Sequence, residues 1–231
     1  MRAAFPGLLA ALLTAVCAAP HEAAAQTIPS AYHFVEERQE VGAFAGYLSA
    51  ATGRFGFGPS GGVWLGGRYG LELTGPLSLE GVVGAVSGTR DVISPGRAEG
   101  DRVVGQGDVL MTTLDARLKF SLTGQRTWHG VSPFVVAGGG LAADLAESAA
   151  ADADLESDEV FDFGPTFFGT MGVGTRWFLT PRFALRADAL FSLWKIKTPV
   201  GFGDLQYGFE AVPEGEWVRG LSITGALLFR W

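Results

Sequence analysis

Cysteine is almost missing from this chain of 231 residues: Cys17 is the single one, so no disulfide framework can staple the fold. Apolar runs long enough to span a bilayer are missing as well. Beyond residue 25 the longest, Phe134 to Ala143, holds ten residues, three of them glycine, where a spanning helix needs about 20. Basic clusters are lacking too. The chain carries 17 Lys and Arg against 24 Asp and Glu, a formal net charge of −7, which argues against a phosphate-backbone footprint and so against nucleic acid as a partner. No spacing of His, Cys and carboxylates suggests a metal site. The glycine-rich stretches Gly56-Phe-Gly58 and Gly138-Gly-Gly140 lack the strand–loop–helix setting of a nucleotide cradle. No cofactor is expected.

What is present begins with a leader. Arg2 opens it, Leu8 to Ala19 is apolar, and Ala23-Ala24-Ala25 offers small residues for cleavage before Gln26, so residues 1–25 read as a signal peptide. Val16 is bulkier than lipoprotein processing tolerates, and Cys17 is therefore read as leader rather than lipid anchor. The remaining 206 residues (231 − 25) suit one all-β domain. Losing Arg2 and Glu22 removes one charge of each sign and leaves the balance at −7. Mean hydropathy is positive, +0.25, although 34 residues are glycine. A hydrophobic chain without spanning helices can still cross a bilayer as a closed barrel, because closure pairs every backbone N–H and C=O.

Eight segments alternate as strands with two unlike faces do: Glu40–Ala51, Gly62–Leu73, Leu77–Ser87, Gly107–Leu122, Ser132–Ala143, Pro165–Leu179, Arg182–Lys195 and Trp217–Trp231. Each meets the ~9–11 residues of a tilted bilayer-crossing strand. Thr74-Gly75-Pro76 and Thr180-Pro181 are tight turns and 123–131 is intermediate, whereas the other connections run from ten to about twenty residues. Short turns on one side, long loops on the other and an even strand count agree with each other.

In the fourth segment Leu110, Leu114, Leu118 and Phe120 oppose Asp115, Arg117 and Lys119. In the seventh, Phe183, Leu185, Phe191 and Leu193 oppose Arg186 and Asp188. The second sets Val63, Leu65, Tyr69 and Leu71 against Arg68 and Glu72, the third sets Leu79 and Val83 against Glu80, and the sixth sets Phe167, Met171 and Trp177 against Arg176. A soluble sandwich or lipocalin also alternates. The broad Leu- and Phe-rich face favours lipid, as does the gathering of tryptophans at strand ends. Trp128, Trp177 and Trp231 fall on the turn side, and Trp64, Trp194 and Trp217 on the loop side, although Trp64 and Trp194 share the parity of the charged residues.

On these features the chain resembles the small OmpA/OmpX-type outer-membrane β-barrel family. The likeness is carried by Val41-Gly-Ala-Phe-Ala-Gly-Tyr-Leu48, Gly66-Gly-Arg-Tyr-Gly-Leu-Glu-Leu73, Thr180-Pro-Arg-Phe-Ala-Leu-Arg-Ala-Asp188 and Leu228-Phe-Arg-Trp231, ending on Trp where the family more often ends on Phe. The resemblance implies an all-β fold, an eight-stranded antiparallel transmembrane up-and-down β-barrel over residues 40–231. Residues 26–39 form a short periplasmic segment before it, and the long loops lie outside the cell. It also implies a monomer in the bacterial outer membrane, with outer-membrane lipid and lipopolysaccharide as surroundings. The barrel-assembly machinery would act as a partner that recognises the last strand. Trp177, Trp217 and Trp231 are the expected membrane-interface aromatics.

If the apolar face meets lipid, the charges line the lumen: Arg68, Arg117, Lys119, Arg176, Arg186 and Arg230 against Glu72, Glu80, Asp115 and Asp188. Eight strands enclose only enough room for their own side chains, so these charges must pair or stay hydrated. A structural ion network inside a non-catalytic structural or surface-interaction protein is the leading expectation. A narrow porin-like channel for small solutes is the alternative, and a lumenal ligand site a further one. A lipid-modifying enzyme is the third reading, resting on His129 and Ser132, but no partner acid lies near them in sequence and they fall on the periplasmic side. In the acidic loop 143–162, Asp152, Asp154 and Glu156 take the first alternate positions of a calcium loop, yet Ser157 and Phe163 stand where that loop needs Gly and Glu. Phe202, Tyr207 and Phe209 in the last loop form either a binding surface or a cover packed on the barrel rim.

Overall fold

The computed structural model describes residues 30–98 and 100–231; the leader assigned to residues 1–25 lies outside the described residues. Eight long strands follow one another: β1 Gln39–Ala50, β2 Gly61–Thr74, β3 Leu77–Ile93, β4 Val103–Ser121, β5 Val131–Asp144, β6 Thr166–Phe178, β7 Phe183–Lys197 and β8 Gly215–Arg230. Each pairs antiparallel with the next, and β8 pairs with β1, which closes the sheet and leaves no edge. This is the eight-stranded antiparallel barrel that the alternation predicts.

Closure fixes the tilt. Stepping across the wall from Glu40 through Gly70, Glu80, Arg117, Gly138, Thr170, Ser192 and Gly220 returns to β1 at Ala50, a stagger of ten residues (50 − 40). Such a stagger over eight strands inclines them by roughly 40° to the barrel axis. At the turn end, Tyr32–Phe34 pairs with Arg126–Trp128 as a short ribbon. The segment between that ribbon and β1 is tied to the wall: Glu72 N–H donates to the Arg38 carbonyl (2.7 Å), and Gln39 and Trp231 exchange backbone bonds of 3.3 and 3.2 Å.

β3 and β4 run further toward the long loops than their alternation indicates. The pattern fades there because the outward face turns polar, with Thr89, Asp91, Gln106 and Asp108, while Arg90 and Val92 point in. Below that level the outer wall is apolar around its whole circumference. Leu65, Val83, Leu114, Leu141, Phe167, Met171, Leu221 and Ile223 all stand exposed on it, a continuous apolar surface of a kind that monomeric soluble proteins rarely expose.

The interior is layered. Charged side chains fill the half nearer the short turns. Phe44, Leu48, Trp64, Val86, Met111, Phe168, Leu190 and Trp194 fill the half nearer the long loops. Here the reading of two tryptophan belts needs correction. Trp64 and Trp194 are 5% and 4% exposed and belong to the lumen, as their shared parity with the charged residues requires. Trp128, Trp177, Trp217 and Trp231 face outward.

The seam between β1 and β8 tolerates no side chain at Gly46. A Cβ there would stand 2.2 Å from the Ile223 carbonyl oxygen and 2.7 Å from Thr224 Cα, whereas at Gly225, on the outward face, nothing lies within 4 Å. Gly46→Ala is expected to lower barrel stability by about 1–3 kcal/mol, and Gly225→Ala to leave it within about 0.5 kcal/mol. Urea unfolding of the two variants in detergent checks this.

Candidate functional site: the barrel interior

Strand parity decides which groups enter the lumen, and the stagger brings groups from distant strands to one level. Arg186 on β7 sits near the centre. Its Nε donates to Asp188 Oδ1 (2.9 Å), its Nη2 to Asp188 Oδ1 (2.8 Å) and Glu80 Oε1 (3.2 Å), and its Nη1 also meets Glu80. Arg68 Nη1 donates to Asp188 Oδ2 (2.9 Å), which also accepts from Thr224 Oγ1 (3.3 Å). Arg117 Nη2 donates to Asp115 Oδ2 (2.9 Å). The guanidinium groups of Arg186 and Arg68 stack over Phe134 and Phe44, at 4.5 and 4.9 Å from the ring centres, where the ring faces offer negative potential.

Closer to the turns the hub is Glu40. Lys119 Nζ donates to one of its oxygens. Arg176 Nη1 donates to the other at 2.9 Å, reaches Glu72 Oε1 at 3.3 Å, and its Nη2 reaches Ser121 Oγ at 3.1 Å. Arg230 Nη2 donates to the Glu37 carbonyl (2.9 Å) and Nη1 to Glu37 Oε2 (3.4 Å). Small residues make room for the long ones: a Cβ on Gly70 would lie 2.8 Å from Glu40 Cγ, and one on Gly138 2.9 Å from Arg117 Cγ.

All ten charged residues read from the alternation thus stand in the lumen. Nine are buried, and the Glu72 side chain is 11% exposed. Two acids escaped that reading, Glu40 and Glu37. In β1 the inward Phe44 and Leu48 are as apolar as the outward Val41 and Tyr47, so alternation there carries no polarity signal. Glu40 shares the parity of Phe44 and Leu48, the one cue that could have placed it. With both counted, six cations (Arg68, Arg117, Lys119, Arg176, Arg186, Arg230) face six carboxylates (Glu37, Glu40, Glu72, Glu80, Asp115, Asp188).

Above the charges the lumen closes. Among Leu48, Trp64, Val86, Met111, Thr113, Ala142, Phe168, Ser192 and Trp194 the remaining cavity is about 20 Å³, room for about one water molecule. The long loops fold over this end. Phe57 packs on Phe161 (centroids 4.7 Å apart) and on Phe202 (5.5 Å), while Phe55 packs on Phe202 (5.1 Å) and Phe209 (5.0 Å). Phe202 is fully buried, so of the two placements open to the last loop's aromatics the structure has the cover. Arg90 pairs with Asp152 under the acidic loop. Tyr207 donates to Glu159 Oε1 (2.8 Å), a bond that raises the pKa of the phenol.

The remaining candidates do not assemble into sites. The Ser132 hydroxyl is 3.2 Å from that of Thr123, and the His129 ring packs edge-on against Trp128. Asp152 is engaged by Arg90, and no cluster of three or more His, Cys, Asp or Glu with metal-site geometry occurs among the described residues. Of the expected interface aromatics, Trp177, Trp217 and Trp231 stand on the outer surface.

No protein-family profile and no curated protein matches the chain. Among solved structures it is similar to Neisserial surface protein A, with a TM-score of 0.53 and 13% identity over 84% of this chain and 97% of that one. The N-terminal β-barrel domain of Pseudomonas aeruginosa OprF gives 0.41 and 16% over 83% and 99%. Ail, the attachment invasion locus protein of Yersinia pestis, gives 0.41 and 14% over 85% and 99%. By fold the chain is a small eight-stranded β-barrel of the outer-membrane type, the architecture it shares with Neisserial surface protein A.

Proposed function

We propose that this chain is an integral outer-membrane barrel with a structural or surface-interaction role, that its lumen is closed, and that it performs no catalysis. One observation carries the reading: the wall is apolar outside at every strand, while inside a charge-balanced network and an aromatic layer fill the space. Bilayer lipid is the partner such a wall requires. Export by the leader in residues 1–25, a segment 26–39 on the periplasmic side and recognition of β8 by the assembly machinery complete the proposal. Trp177, Trp217 and Trp231 would hold the barrel at the two interfaces, where an indole is half-buried with its N–H wet. The closed lumen disfavours the channel reading, and the engagement of the Ser132 hydroxyl by Thr123 and of the His129 ring by Trp128 disfavours the enzymatic one.

The network's task in this reading is mechanical: it fills a tube that eight strands cannot close by themselves, at low net charge. Removing one member strands its partners in a dry site. Glu40→Gln leaves Lys119 with Glu80 at 3.9 Å and Arg176 with Glu72 at 3.3 Å as their remaining carboxylates, and the expected loss is about 3 kcal/mol. Glu72→Gln, at the more exposed rim, should cost less than half of that. Thermal unfolding followed by gel mobility measures both.

The function itself is tested by reconstitution. The refolded protein should enter phospholipid vesicles, migrate differently unheated and boiled in detergent gels, and give no unitary current steps in planar bilayers. Unchanged mobility with solubility in plain buffer would refute the membrane reading, and reproducible steps would refute the closed lumen.

A further inference from the structure

Charge on the outer wall is not spread evenly. Above the apolar band, the outward positions of β3 and β4 carry Asp91 and Asp108. Those of β7 and β8, on the opposite side of an eight-stranded ring, carry Lys195, Lys197 and Arg219. Trp217 pairs in register with Lys195, and Arg219 with Leu193. Arg219 is flanked on the other side by Ala51, whose N–H donates to its carbonyl (2.9 Å). Neither Lys195 nor Arg219 has a carboxylate within 4.0 Å among the described residues, in contrast to every lumenal cation. Glu216 lies at the same end, with its Oε1 engaged by Arg54 N–H at 2.6 Å.

A groove of about 540 Å³ runs along this sector. Glu216, Trp217 and Arg219 line its upper part, Leu193 stands level with Arg219 and Phe191 below it, and Lys195 flanks the groove next to Trp217. Further down the same strands the outward surface continues as Leu221 and Ile223. From top to bottom the sector therefore presents Lys195 beside Trp217, then Arg219 beside Leu193, then the apolar track that begins with Leu221 beside Phe191. That sequence is complementary to a lipid whose anionic head sits above extended acyl chains.

We propose that this face of β7 and β8 is a binding site for a lipid whose headgroup is a net anionic phosphate, in the leaflet on the long-loop side. Lys195 and Arg219 take the phosphate, Trp217 lies beside the head, and Phe191, Leu193 and Leu221 follow the chains. The proposal rests on the membrane reading above for the presence of such a leaflet. It adds a specific place on the wall and a headgroup chemistry.

The test uses the refolded full barrel in mixed micelles, with phosphatidic acid carrying brominated acyl chains as the quencher of tryptophan fluorescence. Each cation near a phosphate surface contributes about fivefold in affinity. The Lys195→Gln/Arg219→Gln variant is therefore expected to need about thirtyfold more lipid for half-quenching. Asp91→Asn/Asp108→Asn should behave as the parent, and Trp217→Phe should lose the quenching that responds to Lys195 and Arg219 while keeping that of Trp177 and Trp231. Brominated phosphatidylcholine should quench the parent and the Lys195/Arg219 variant alike. Equal half-quenching by phosphatidic acid in parent and variant would overturn the site. Displacement of the lipid by inorganic phosphate would overturn the lipid assignment. Both results differ from failure of the membrane reading, in which the protein would not enter micelles or vesicles as a heat-modifiable barrel at all.

Discussion

Everything inside this barrel depends on pairing charge in a space that water can scarcely enter. Eight strands with a ten-residue stagger leave a lumen that side chains must fill, and this sequence fills half of it with arginine, lysine, glutamate and aspartate. Each such group would cost several kcal/mol alone. The arrangement tolerates them because every cation in the layer has a carboxylate within 4.0 Å. Glu40 matters most, since Lys119 and Arg176 converge on it from β4 and β6 while it sits on β1, next to the closing seam. The network thus joins both ends of the strand order and helps to determine how the sheet closes.

The aromatic layer follows from the same constraint. Above the charged layer Trp64, Trp194, Phe44 and Phe168 occupy the lumen, and the inward Arg90 beyond them pairs with Asp152 of the acidic loop. The long loops then cover that end with a phenylalanine cluster. The outer wall shows the opposite arrangement: it is apolar around the band and polar only above it. Thr89, Asp91, Gln106 and Asp108 on one side and Lys195 and Arg219 on the other mark that upper limit.

Much of the fold is legible in the amino-acid sequence. Period-two alternation in β4 and β7 separates Leu and Phe from Asp, Arg and Lys so cleanly that both faces and eight strands can be read directly. The ten lumenal charges come from the same pattern. What stayed hidden has physical causes. Glu40 lies in a strand whose two faces are both apolar, so parity carries no contrast there. Glu37 belongs to an irregular segment with no periodicity to read. Trp64 and Trp194 satisfy a belt by their place near strand ends and contradict it by their parity. Parity prevails, because a side chain's face is set by the backbone while its height along the wall is not. The upper ends of β3 and β4 were lost where the outward face becomes polar and the alternation changes sense.

The central claim is that paired charges, not merely buried ones, close this lumen. A double-mutant cycle on Glu40→Gln and Lys119→Met, followed by equilibrium unfolding in detergent, tests it most directly. The account predicts that the double variant is more stable than the sum of the two single losses allows, with a coupling of about 1–3 kcal/mol. Additive losses would contradict it, showing that Glu40 and Lys119 are held in the lumen independently of one another.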